Sequence, residues 1–297
     1  MTSISDKAML VRISVHLPQK AKRDKEVTAQ TARDHGAEVE MASFNKKLYA
    51  KHSWAKLQAA ATALRSHFET NTLPWFKGVG LLPSTMYFDF ISEHGTLKRA
   101  FDDAGQEFLE DYETNKADAK QRLNGLFSDR DYPTRGRLAS RISTEIEFLP
   151  MPEESDFRVN LGAEEEERIR AIIRQQADDK IGAATADLWH RVHEAVSDML
   201  ERIERYQVDP ATGKTLATFR DSAVNNVREL VTLLGRLNVT EDPELEAMRR
   251  QLRDKVCQHD ADALRDDERL RRDAAAECKD ILAAMSGYIG SDVDLAA

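Results

Sequence analysis

Three clusters in this sequence hold residue types that do chemistry. The first is ATGKT at Ala211 to Thr215, which matches the end of a phosphate-binding loop, G-x-x-x-x-G-K-[ST]. Such a loop cradles phosphates with backbone N–H groups, needs its first glycine for shape and follows a buried strand. Here the first-glycine position is Val208 and a charged helical pattern precedes it. The spacing therefore predicts a connection between helices and no ATP site. The second cluster is DLWHRVHE, Asp187 to Glu194, with His190 and His193 three apart beside Glu194. One helix face can offer both imidazoles to a metal, but the order is neither H-E-x-x-H nor H-x-x-E-H. Leu188 and Val192 mark an apolar stripe there, so the expected role of the histidines is structural. The third is the cysteine pair, Cys257 and Cys278. On one helix they would stand ~30 Å apart, too far to bond, and they read as reduced thiols. No G-x-S-x-G is present. Nothing gathers a nucleophile, a base and an orienting group, so the chain is expected to be no enzyme and to carry no cofactor.

Two further clusters suit binding. QKAKRDK supplies Lys20, Lys22, Arg23 and Lys25, and the segment from Ser128 supplies Arg130, Arg135, Arg137 and Arg141. If a small sheet joins their flanks, they form a groove for a phosphate backbone, with Tyr132 or Trp75 to stack on bases. Lys20, Lys22, Arg23, Arg135 and Arg137 are its named candidates. The second is TLPWFKGVGLLPSTMYFDF, Thr72 to Phe90, rigid and aromatic in a charged, Ala-rich chain. It is expected to fold back as a structured loop that plugs a helix hairpin. The alternative is an exposed patch for a partner, formed by Trp75, Phe76, Tyr87 and Phe88. LRDDERLRRDAAAE, near the end, reads as a solvated helix face laced with i,i+4 pairs.

The elements that must position these groups are mostly helices. Val11, Ile13, Val15 and Leu17 alternate with polar residues, a half-buried strand over 10–17 that Pro18 stops. From Val39 to Phe68 the period is helical, with Met41, Phe44, Leu48, Leu57, Ala61 and Leu64 on the stripe. Ser84 can cap a short helix that Gly95 breaks, and a long helix then runs from Leu97 to Phe127. RISTEIEFLPMP and DFRVNL alternate and should pair with the first strand. AEEEER opens a helix near Ala163 that is ~65 Å long if unbroken. Phe219 to Leu237 marks another, and a last one runs from Pro243, capped by Thr240 or Asp242, to Gly287. The fold class is thus mainly α with a small β-sheet (α+β), its long amphipathic helices forming an elongated bundle. The expected division is 1–135 (strand and helical hairpin with aromatic loop 72–90), 136–162 (hinge and two strands) and 163–290 (three-helix bundle).

Composition excludes some classes. The formal net charge of −9 argues against bulk electrostatic binding of nucleic acid, though a local basic face can survive it. No apolar run approaches ~20 residues and MTSISDKAMLVRISVHLPQK lacks a signal-peptide core, so no membrane partner and a cytoplasmic location are expected.

Several stretches, in order, resemble a family of proteins from phages, integrative elements and proteobacteria, a domain of unknown function. They are the aromatic segment, the YP of the hinge, EFLPMPEESDFRVNL, LVTLLGRLNVTEDPELEAMRRQL and DADALRDDERLRRDAA, and the resemblance covers nearly the whole chain. The family has no assigned catalytic residues. Its members are often encoded near AAA+ ATPases of the cobaltochelatase/MoxR-like type. The resemblance implies a phage or mobile-element protein in a bacterial host, with an AAA+ ATPase as one partner class. With the long helices, it leads to a scaffold or interaction protein that forms a homo-oligomer, a coiled coil among its forms, or docks a partner. The alternatives are an adaptor of that ATPase and a DNA- or RNA-binding accessory factor.

Overall fold

The computed structural model describes residues 4–153, 155, 159, 161–208, 212, 215–217, 219–285 and 287–288. It is 69% helical with a small antiparallel sheet, as the periodicities require. The first half contains α1 (Ile4–Lys7), β1 (Ala8–His16), β2 (Ala21–Arg23), α2 (Lys25–Asp34), β3 (Asn45–Lys47) and α3 (Lys51–Asn71). β4 (Leu73–Phe76), β5 (Val79–Pro83), α4 (Tyr87–Glu110), α5 (Tyr112–Leu123), α6 (Arg135–Ala139) and β6 (Ser143–Leu149) follow. The second half contains α7 (Ala163–Arg205), β7 (Gln207–Val208), β8 (Thr215–Ala217), α8 (Ser222–Leu237), α9 (Pro243–Gln251), α10 (Ala261–Asp266) and α11 (Glu268–Met285). The four-stranded sheet has the order β4-β5-β1-β6, and β2 pairs with β3 separately.

The chain forms two compact units, neither continuous in sequence. One comprises 1–11, 71–87 and 148–297; the other comprises 12–70 and 88–147. The boundaries fall inside β1 and β6 and just after the first residue of α4. β1 and β6, distant in sequence, are neighbours in the four-stranded sheet.

In the first unit the aromatic segment is a β-hairpin, not a loop. Leu73 pairs with Leu81 and Pro74 with Gly80. Lys77 and Gly78 make the two-residue turn, and Gly78 takes φ +76, which only glycine adopts without strain. Pro74 lacks an N–H to donate and sits on an edge strand, the place a sheet tolerates it. Alternation buries Leu73 and Trp75 and leaves Pro74 and Phe76 exposed. α7 packs on β4, α8 and α11, burying Leu188, Val192, Val196 and Met199. It is unbroken over 43 residues, as the stripe from Ala163 predicts. Asp242 accepts from the N–H groups of Glu244 and Leu245, with Pro243 in the first turn, so the cap is where the sequence puts it.

The last helix is not continuous. A π-helical turn spans Leu252–Val256, and the chain restarts at α10 and again at α11. Asp260 caps α10 and Asp267 accepts from the N–H groups of Arg269 and Leu270. The Arg228 guanidinium satisfies the carbonyls of Cys257 and His259 at 3.0 and 2.9 Å. Two aspartates serving as caps break a pattern whose apolar period alone reads as helix. The expected strand DFRVNL and the ATGKT connection lie largely outside the described residues.

In the second unit the helix expected from Val39 begins only at Lys51. Val39–Met41 is a 3-10 turn and Asn45–Lys47 is a strand, with Met41 82% exposed. The segment from Lys25, expected only as part of a basic stretch, is α2, capped by Asp24. α4 runs through Gly95, where a break was expected; buried Phe90, His94 and Phe101 on either side outweigh a cost of about 1 kcal/mol. The break comes instead at Asp111, before α5. Gly105 is needed: a Cβ there would lie 2.9 Å from Cγ2 of Ile142. The core of this unit gathers Tyr49, Trp54, Leu57, Leu64, Phe101, Phe108, Tyr112, Tyr132 and Leu138. Tyr49 meets Phe108 and Tyr132 edge-on, with ring centroids at 5.1 and 6.0 Å. Burial raises the phenol of Tyr132 to about 12.

Candidate interaction surfaces

The first candidate surface lies in the first unit, where β4 meets α7. An apolar pocket of about 540 Å³ is lined by Trp75, Phe76, Ile173, Ala177, Gln176 and Lys180, with Pro152 and Glu153 closing one side. That volume suits a drug-sized molecule or one or two large side chains. Phe76 is 55% exposed and Lys180 sets its ammonium 5.4 Å from the ring centroid. Trp75 is 2% exposed, and its Nε1 is buried with no hydrogen-bond partner among the described residues. Glu153 accepts from Ser5 Oγ, and at 3.2 Å from Ser155 Oγ. Beside the pocket, α7 has no buried residue before Ala184, and Ile172 is 45% exposed.

The four aromatic candidates separate. Trp75 belongs to the core. Tyr87 is half-buried against Phe148, ring centroids 5.3 Å apart. Phe76 and Phe88 are exposed, Phe88 by 79%, and they belong to different units. The hairpin signal was present in the sequence as Lys77-Gly78 between two apolar runs.

The second candidate surface lies in the second unit. The two basic segments do meet: β1 and β6, which flank them, are neighbours in the sheet, and a carboxylate bridges the segments as well. β2 and β3 pair with Lys22 opposite Lys46. Lys46 is buried: its ammonium donates to Asp24 Oδ2 at 2.9 Å and to the Leu126 carbonyl at 2.9 Å, and it forms an ion pair with Asp131 Oδ2 at 2.7 Å. Burial works against its charge, yet the bonds to Asp131 and Asp24 outweigh burial and hold its pKa above the ordinary lysine range. Burial likewise opposes the Asp131 carboxylate, and Lys22 and Lys46 overcome it and hold its pKa low. Tyr132 donates to the Leu48 carbonyl at 2.9 Å, and Leu48 N–H donates to the Lys20 carbonyl at 2.9 Å.

Of the five basic candidates, Lys22 is neutralised by Asp131 at 2.7 Å and Arg23 donates to the Ala42 carbonyl at 3.0 Å. Lys20, Arg135 and Arg137 are exposed. Tyr132 and Trp75, expected to stack on bases, are 7% and 2% exposed, so neither can. Sequence reasoning missed Lys46 because a lysine in a short strand gives no sign of burial.

His190 is half-buried and His193 exposed on α7. Among the described residues no group of three or more His, Cys, Asp or Glu is placed to hold a metal. His67 and His94, which no motif marks, face one another around Phe90 with ring centroids 6.4 Å apart, and Phe90 O lies 3.1 Å from His67 Nε2. Cys278 is fully buried and its thiol is pushed up to about 12, which makes it inert at neutral pH. Among the described residues no helix is long and apolar enough to cross a membrane.

No family model, curated protein or solved structure matches this chain.

Proposed function

We propose that this chain is a non-enzymatic interaction protein that docks a partner, or a copy of itself, through α7 and the pocket beside it. One observation carries the reading. None of the first twenty-odd residues of α7 is fully buried, Ile172 is exposed, and half-buried Ile173 and Ala177 face a pocket walled by Trp75 and Phe76. An amphipathic helix beside an apolar groove is an arrangement by which partner helices are recognised. The family resemblance adds a setting, a phage or mobile element, and one partner class, an AAA+ ATPase.

The test is nuclease-treated affinity purification from the host, followed by light scattering of the eluate. An ATPase subunit retained in fixed ratio makes the chain its adaptor. The chain alone, at a multiple of 33.6 kDa, makes self-assembly its role. In either case Ile172→Glu with Ala177→Arg should abolish the association. A compact monomer that retains nothing, or an association indifferent to those substitutions, overturns the reading.

A further inference from the structure

The second unit carries an independent feature. Residues 20–25, 45–51 and 128–141 together hold eleven Lys and Arg against three Asp, a net +8 in a chain whose total is −9. The three segments are joined in space by the Lys46 network and by the Tyr132–Leu48–Lys20 hydrogen bonds. Each of the three aspartates is already spent: Asp24 on Lys46, Asp131 on Lys22 and Lys46, and Asp129 on Lys116 at 2.9 Å. The cations left over, including Lys20, Lys47, Arg130, Arg135 and Arg137, are exposed and have no ion-pair partner among the described residues. Internal carboxylates thus hold the frame together while the outer charges stay uncompensated.

We propose that this junction of β2–β3 with the segment around α6 binds the phosphodiester backbone of nucleic acid without reading sequence. Cations without carboxylate partners are what phosphates displace counterions to reach. The burial of Tyr132 removes the stacking ring that a single-strand binder uses, so the duplex is the fitting form. An anionic membrane fits less well. Of the exposed apolar residues of the same unit, Val39 and Met41 alternate with Glu38 and Glu40 and Phe88 precedes Asp89, carboxylates that an anionic headgroup layer repels. The inference does not rest on docking through α7; either can stand without the other.

The experiment is fluorescence anisotropy of the full chain with a labelled random-sequence DNA duplex of about 20 base pairs, across a salt series. With about five phosphates contacted, log K should fall against log salt with a slope of about −4 to −5. Replacing Lys20, Lys47, Arg135 and Arg137 together by Gln should weaken binding at low salt and flatten the slope by about four. All four are exposed, and circular dichroism checks that the variant is folded. Arg168→Gln on α7 should change nothing. Absence of binding at low salt, equal loss in Arg168→Gln, or capture by anionic phosphatidylserine vesicles but not by duplex overturns the proposal.

Discussion

At the residue scale, the side chains that decide most are polar ones held out of water. Lys46 is the clearest case, since its removal leaves Asp24 without its charge partner and Asp131 with Lys22 alone. Lys46→Ala should cost about 3 kcal/mol, the lower end for breaking a buried pair, because Asp24 keeps some contact with solvent. Chemical denaturation reads that loss directly. The histidines give a pH signature. Burial depresses the pKa of both His67 and His94, and the proximity of His67 and Lys98 adds to the effect at His94. Glu93 and the Phe90 carbonyl act the other way on His67. Unfolded imidazoles take protons as pH falls through about 6.5, whereas the folded ones resist, so the unfolded state binds more protons there. Stability should therefore be intact above about pH 6.5 and decline as pH falls below it. Urea midpoints between pH 7.5 and 5.5, roughly the histidine range, should show this slope, and His94→Gln should flatten it.

At the element scale, two predictions concern helices. Gly105→Ala adds helix propensity worth about 1 kcal/mol but drives a methyl into Ile142, and overpacking of that kind costs about 1–3 kcal/mol. A net loss of stability is expected, with thermal unfolding as the measure. In α7, amides before Ala184 should exchange with deuterium well ahead of those between Leu188 and Ile203, because burial begins only there. Much of this layer was legible in the sequence. The 43-residue helix, the Asp242–Pro243 start and the strand ending near Pro18 follow from periodicity and capping. The errors at the helices have separate causes. At 39–48 the chain pairs β3 with β2, and Phe44 N–H donates to Thr28 Oγ1. Apolar spacing at 245–285 mimics continuous helix, and what breaks it is side-chain hydrogen bonding by Asp260 and Asp267. Such capping is visible in the sequence only as one more acidic residue. Of the candidate surfaces, the basic segments were legible by composition; the pocket beside β4 was not, since its walls come from residues a hundred positions apart.

At the scale of the whole molecule, composition and architecture part company. The acidic total conceals a basic junction, and five stretches of sequence alternate between two units. Limited proteolysis should yield no stable fragment that corresponds to a single unit, since β1, α4 and β6 each supply residues to both. Recovery of residues 12–147 without 71–87 as a folded species, by mass spectrometry of the digest, would contradict this. The interleaving also orders events during synthesis. The hairpin of β4 and β5, with Trp75, Leu81 and Leu82 buried in the finished fold, is complete when residue 83 is made, but the long helices of its unit come between 163 and 285. At ~5–20 residues per second that leaves an apolar ribbon uncovered for roughly 5–40 s at the ribosome. Chaperone demand should fall in that interval, and a slow-codon stretch placed between residues 83 and 184 would lengthen it.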